Sequence, residues 1–209
     1  MNPDPKAAVS ESADIVTVHI WRHPRARGAD GRCVGHTDLA LDRRKAKRLA
    51  HRIRAFARQH GLPREIVTSP LRRCANVGRV LAAWGWMHRV DPFLIEVNFG
   101  LWDGRAWSDI SRAEIDQWCA DLLNNRPGGG EAVAGLLRRV GSWRPGTARL
   151  AVGHGGWLSA ALWLGKHGPV TAASAVAPRD WPAAPAQGSR RMVRIAAGRI
   201  AAGRDCSAG

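Results

Sequence analysis

The chain has no tyrosine and three phenylalanines, against ten tryptophans. Acid is also scarce: 17 Asp and Glu stand against 32 Lys and Arg, a formal net charge of +15. The four cysteines (Cys33, Cys74, Cys119 and Cys206) form no Cys-x-x-Cys pair. That spacing argues against a thiolate zinc site and a small disulfide scaffold, and it fits a reducing compartment. No run approaches the roughly 18 apolar residues of a membrane-spanning helix, so no membrane role is expected. Residues 1–14 mix Pro, Asp, Lys, Ser and Glu without the apolar stretch of a signal peptide. They read as a disordered tail on a cytoplasmic protein.

What is present is ordinary globular material. At 209 residues, 45% of them apolar and 23% charged, the chain is long enough for one buried core. A single domain over 15–196 is expected, followed by a flexible tail over 197–209. The positive charge is mostly arginine and is densest from Arg43 to Arg58. There Ala46, Leu49, Ala50, Ile53, Phe56 and Ala57 recur at helical spacing, which leaves the basic residues on the solvated face. No aromatic RNA-binding motif accompanies them, so nucleic acid is not expected as the main partner.

Ile15 to Trp21 reads as a buried strand running into Arg22-His23-Pro24, and Pro24 disfavours a helix starting at His23. Glu65 to Thr68 is a second strand, turned by Ser69-Pro70 into a helix reaching about Trp84. A weaker strand follows at His88 to Val90. Helical stretches are expected at Ala113–Leu123, from Glu131 to Val140, and at Trp157–Leu164. Arg149 to Val152 is a further strand, ending in Gly153-His154-Gly155-Gly156, and Met192 to Ile195 reads as a last edge strand. This alternation predicts an α/β fold, a three-layer α/β/α sandwich with a mostly parallel sheet.

Ligands in such folds bind where strands end at their carboxyl side. Three such ends carry Arg22-His23, Arg72-Arg73 just past Ser69-Pro70, and His154. Gathered together, they make a cationic pocket suited to a phosphate dianion, because guanidinium groups match phosphate oxygens in bidentate geometry. The same charge repels a metal cation and favours an imidazole nucleophile.

Those residues resemble a known family. Trp21-Arg22-His23-Pro24 is similar to the Arg-His-Gly signature of histidine phosphatases and cofactor-dependent phosphoglycerate mutases. Gly35 to Leu41 resembles the family's Gly-x-x-Asp-x-Pro-Leu loop, and Ser69-Pro70-Leu71-Arg72-Arg73-Cys74 resembles Ser-Pro-Leu-x-Arg-Ala. Glu96 to Gly104 resembles Glu-x-x-Phe-Gly-x-Trp-Glu-Gly, while Arg126 to Glu131 and Gly153 to Gly156 complete the series in family order. The resemblance implies a phosphoglycerate mutase-like fold, a small phosphorylated substrate, no cofactor and no metal, with a homodimer common among relatives. It makes His23 the nucleophile and Glu96 the proton donor, with Arg22, Arg73, His154 and Gly155 holding the phosphoryl group.

Arg-His-Pro, Cys33 to Asp38, and Trp102 to Trp107 further resemble the α-ribazole phosphatase branch of cobalamin biosynthesis. That resemblance implies α-ribazole 5′-phosphate or cobalamin 5′-phosphate as substrate. Trp102, Trp107 and Trp118 fall in the stretch that resembles the family's variable cap; most of these rings are expected to serve packing, and one of the three is a candidate to stack a flat base. Other readings are a phosphatase of broad or sugar-phosphate specificity, and a non-catalytic phosphate- or RNA-binding protein on this scaffold. Three departures from the family pattern stand out: Pro24 removes an N–H beside the nucleophile, Arg25 replaces a common Glu, and Ser159 replaces a common Arg.

Overall fold

The computed structural model describes residues 15–171, 174–195 and, as backbone, 196 and 199–202. The expected tail at 1–14 and Cys206 lie outside the described residues. Strand β1 (Val16–Arg22) leads to α1 (Arg43–Gln59), β2 (Glu65–Thr68), α2 (Arg72–Ala82) and β3 (Met87–Val90). Next come α3 (Arg112–Ala120), α4 (Val133–Gly141), β4 (Leu150–Gly153), α5 (Gly155–His167), β5 (Arg190–Ala196) and β6 (Arg199–Ala202).

Among the described residues six strands form one sheet in the order β3-β2-β4-β1-β5-β6. β3, β2, β4 and β1 are parallel, and β5 runs antiparallel to both β1 and β6. Alternate side chains along the strands point to opposite faces. Val18, Ile20, Val67 and Ala151 pack with α4 and α5, whereas Trp21, Ile66, Leu150 and Val152 pack with α1 and α2. The expected three-layer sandwich is therefore present. β5 corrects one expectation: it lies inside the sheet, and the edge belongs to β6, within the segment expected as a flexible tail. A free strand edge pairs through backbone groups alone, so four residues with little patterning can extend the sheet.

Local chemistry sets the helix boundaries. Asp42 caps α1 by accepting from the Arg44 and Lys45 N–H groups at 2.9 and 3.2 Å, and Ala46, Leu49, Ala50, Ile53 and Ala57 are buried along one stripe. Ser111 and Glu114 form a capping box at the start of α3. Helix α5 is apolar nearly all round and lies in the core. α1 and α2 leave β1 and β2 toward one face, and α5 leaves β4 toward the other. The chain reverses between these helices, and such a switch opens a crevice at the strand ends.

Candidate active site

Backbone bonds join the three strand ends. The His23 N–H donates to Gly153 O at 3.0 Å, and the Ser69 N–H donates to Val152 O at 3.1 Å. His23 and His154, both buried, meet edge-to-face with ring centroids 5.0 Å apart. Arg73, 1% exposed, enters between them from the first turn of α2. Its Nε–H faces His23 Nε2 at 3.3 Å and His154 Nδ1 at 3.2 Å, while its outer nitrogens donate to Thr37 O at 2.9 Å and Gly35 O at 2.5 Å. Arg22 donates from Nη1 to Pro185 O at 2.7 Å, and its buried Nε has no partner among the described residues. The fold thus brings together Arg22, His23, Arg73 and His154.

These contacts select the tautomers. His23 Nδ1–H donates to Pro24 O at 2.7 Å, which leaves a lone pair on Nε2. Burial, reinforced by the Arg73 charge, holds the His23 ring down to about 3, although the Pro24 bond pulls the other way. His154 Nδ1 faces the Arg73 donor, so Nε2 carries the hydrogen and donates to Ser69 Oγ at 2.7 Å. Burial, then Arg73 and His23, keep its pKa well below the ordinary value. The proline departure therefore leaves the orientation of the His23 ring intact, because the ring uses the carbonyl of residue 24 and not its missing N–H.

Glu96, buried, lies across the N-terminus of α5. Its Oε1 accepts from the Val97 and Trp157 N–H groups and its Oε2 from the Gly156 N–H, all at 3.0 Å. A carboxylate at these unpaired helix donors is favourably placed. Gly155 and Gly156 are required here by space. A Cβ on Gly155 would sit 3.0 Å from the Arg22 guanidinium carbon, and one on Gly156 would sit 2.7 Å from Glu96 Oε1. The segment bearing Glu96 is held from behind by Arg139, which donates to Ile95 O at 2.7 Å and pairs with Glu131 at 2.8 Å.

Asp103 is the residue that sequence reasoning missed, although it lies in a motif already singled out. Its carboxylate accepts from the Gly35 and Thr37 N–H groups at 3.1 and 3.0 Å, from Thr37 Oγ1 at 2.5 Å, and from the His36 N–H. The same loop presents the two carbonyls that hold Arg73. Burial pushes the Asp103 carboxyl up, but these donors outweigh it and hold the group below the usual range. The clamp is complete above the unfolded value near 4 and is lost as pH falls through the lower folded value. Asp103→Ala is expected to lower kcat about 10- to 100-fold with a smaller change in KM, because misplacing Arg73 harms the transition state most. Unaltered kcat toward a simple aryl phosphate would disprove the relay.

The other departures are absorbed locally. Arg25 turns outward to Asp30 at 2.8 Å and Gln187 at 3.1 Å. Buried Ser159 donates to Gly155 O at 3.1 Å within its own helix. Of the candidate tryptophans for stacking a base, Trp102 is 3% exposed and donates to Glu114 at 3.1 Å. That ring is core, in line with the packing expected of most of these tryptophans, whereas Trp107 is 40% exposed. Among the described residues, no cluster of His, Cys, Asp or Glu is arranged to hold a metal ion, and no helix is long and apolar enough to cross a membrane.

Known proteins share this architecture. The alpha-ribazole phosphatase of Shigella flexneri superposes with a TM-score of 0.62 at 20% identity, covering 89% of this chain and 94% of its own. A mycobacterial glucosyl-3-phosphoglycerate phosphatase, solved with VO3, gives 0.65 at 22% identity, covering 85% and 90%. A structure described as mycobacterial hydrolase 2 gives 0.63 at 20% identity, covering 86% and 82%. At these identities the likeness is one of fold. No curated protein matches this chain in sequence. The sequence profile of the histidine phosphatase superfamily (branch 1) spans residues 18–177. The chain belongs to that superfamily and is a phosphatase.

Proposed function

We propose that the protein hydrolyses a small phosphomonoester through a phosphohistidine on His23, and that α-ribazole 5′-phosphate or cobalamin 5′-phosphate is its substrate. The observation that carries the chemistry is His23 itself: a buried neutral ring, oriented by Pro24 O, with its Nε2 lone pair facing Arg73. Arg22, whose buried Nε has no partner among the described residues, and Arg73, seated between the two imidazoles, are the cations that would hold the phosphoryl oxygens as they gain charge. His154, donating to Ser69 and accepting from Arg73, lines the same space.

In the first step Nε2 attacks phosphorus, the ester P–O bond breaks, and Glu96 in its protonated form gives the departing alkoxide a proton. In the second step water attacks phosphorus, the P–N bond breaks, and the Glu96 carboxylate takes the water's proton. Inorganic phosphate leaves and His23 is regenerated. The carboxylate form is the one that the α5 N–H groups complement.

Support for the substrate is the local motif resemblance and the exposed Trp107, whose ring meets Phe99 edge-on at 6.1 Å. The test is hydrolysis with chelator present, comparing α-ribazole 5′-phosphate with glucosyl-3-phosphoglycerate and an aryl phosphate. We expect a higher kcat/KM for the ribazole ester, and a KM for it raised about 5- to 10-fold by Trp107→Ala, the size of one stacking contact. Preference for the sugar phosphate, or an unchanged KM in Trp107→Ala, would discard the ribazole assignment and leave the phosphohistidine chemistry standing.

A further inference from the structure

Helix α1 has 17 residues, RRKAKRLAHRIRAFARQ, without a single carboxylate. Its apolar stripe is buried, so the basic residues form its outer face over about 25 Å. Among the described residues, none of its lysines or arginines takes part in an ion pair: every such bridge involves other residues. Arg43, Arg44 and Lys45 crowd the first turn, where the helix dipole disfavours positive charge, and Arg44–Arg48, Arg48–Arg52 and Arg54–Arg58 are like-charge pairs at i,i+4. Helix stability alone would not select this pattern.

At its C-terminal end the helix borders a cavity of about 720 Å³. Arg54, Arg58, Arg64 and His51 line it together with Trp84 and Trp86, and no carboxylate is among the lining residues. The Arg54 guanidinium lies over the Trp84 ring at 4.7 Å, and His51 tilts against the same ring at 4.6 Å. Trp86 is buried, while Arg54, Arg58 and Arg64 are exposed. These groups precede β2 and β3, at the end of the sheet opposite His23 and His154. The cavity therefore cannot serve as a subsite for the phosphoryl group at the catalytic end.

We propose that the outer face of α1 and this cavity bind single-stranded nucleic acid, with phosphates along the helix and an unpaired base on the Arg54–Trp84 stack. A helix face rich in cations supplies affinity for the backbone, and the aromatic ring with the guanidinium over it accepts a base that is not already paired. A duplex keeps its bases stacked inside and cannot use the cavity. This activity goes beyond the phosphatase reading and does not depend on it.

The test is fluorescence anisotropy of the full chain with a labelled mixed-sequence RNA dodecamer lacking a terminal phosphate, so that it offers no phosphomonoester to His23. Wild type is expected to bind with an affinity that falls steeply with salt. The double variant Arg54→Glu, Arg58→Glu should weaken binding at least about tenfold and lower the salt slope by roughly 0.7 per lost phosphate contact. Its thermal midpoint should stay close to wild type, because both side chains are exposed and the relieved repulsion offsets the lost Arg54–Trp84 contact and the less favourable charge at the C-terminal turn. Trp84→Leu, shown folded by circular dichroism, should weaken the RNA about tenfold and leave inorganic polyphosphate binding unchanged. The proposal is overturned by no binding, by undiminished RNA binding in the variants, by a loss of polyphosphate binding in Trp84→Leu equal to its loss of RNA, or by a duplex binding as tightly as the single strand.

Discussion

His23→Ala is expected to lower turnover of any phosphomonoester substrate by about four orders of magnitude or more, while the protein stays folded. In the proposed mechanism this substitution removes the nucleophile and with it the covalent route, and what remains is binding and electrostatic stabilisation. The ring lies in a pocket already made by Gly153, His154 and Arg73. It donates to Pro24 O and accepts from Arg73 Nε, a donor that keeps His154 as its second partner, so the structural loss is modest. Rapid acid-free quenching with a ³²P-labelled substrate should trap label on wild type and none on the variant. Label on the variant, or turnover within tenfold of wild type, would remove His23 from the nucleophile role. The pH profile of kcat/KM gives an independent reading. With the free ring held down to about 3, protonation of His23 should not produce an acidic limb near 6.5. The same shift has a cost in stability. Between 6.5 and about 3 the unfolded chain binds the proton that the folded ring refuses, so the fold weakens as pH falls through that window.

Arg73→Ala is expected to reduce kcat/KM about a thousandfold and to destabilise the protein, because this one side chain holds both the loop and the two imidazoles. Loss of one preorganised donor to a developing oxyanion typically lowers the rate by about 10²–10³. Here the cation between His23 and His154 goes as well. Gly35 O and Thr37 O lose their donors, at about 1–3 kcal/mol for each buried group left unpaired. A second consequence follows in the opposite electrostatic sense. Arg73 lowers both histidines, so removing it should raise their pKa values, visible in an NMR titration of the ring protons. Arg73→Lys keeps the charge but loses the planar fork that reaches Gly35, Thr37 and both rings at once. Wild-type kcat in Arg73→Lys would show that charge alone suffices and that the fork geometry contributes nothing.

Much of this site was legible in the sequence because its residues stand in short stretches with strong local constraints. Arg22-His23-Pro24 ends an apolar β-branched strand, Arg73 follows a Ser-Pro turn, and His154 lies among glycines at the end of another strand. Such punctuation announces a strand meeting a loop, and the carboxyl ends of parallel strands are where chemistry is placed. Glu96 was legible through its motif, but its seat on the α5 N–H groups, contributed by residues about 60 positions away, was not. The role of Asp103 was hidden for the same reason: the loop it clamps is 66 to 68 residues distant in sequence. Trp102 and Trp107 look alike in a string of letters, and only packing separates a core ring from an exposed one.

By itself, then, the sequence determined what periodicity and local stereochemistry can encode: the alternating elements, the buried stripe of α1 and the residue types at three strand ends. The tertiary structure decided what depends on contacts between distant segments. It set the tautomers of His23 and His154, the four bonds of Arg73 and the inward place of β5. It also showed that the charge of α1 leads away from the catalytic end to a tryptophan-lined cavity. Helical and strand periods are properties of neighbours in the chain, whereas hydrogen-bond partners and desolvation are properties of neighbours in space.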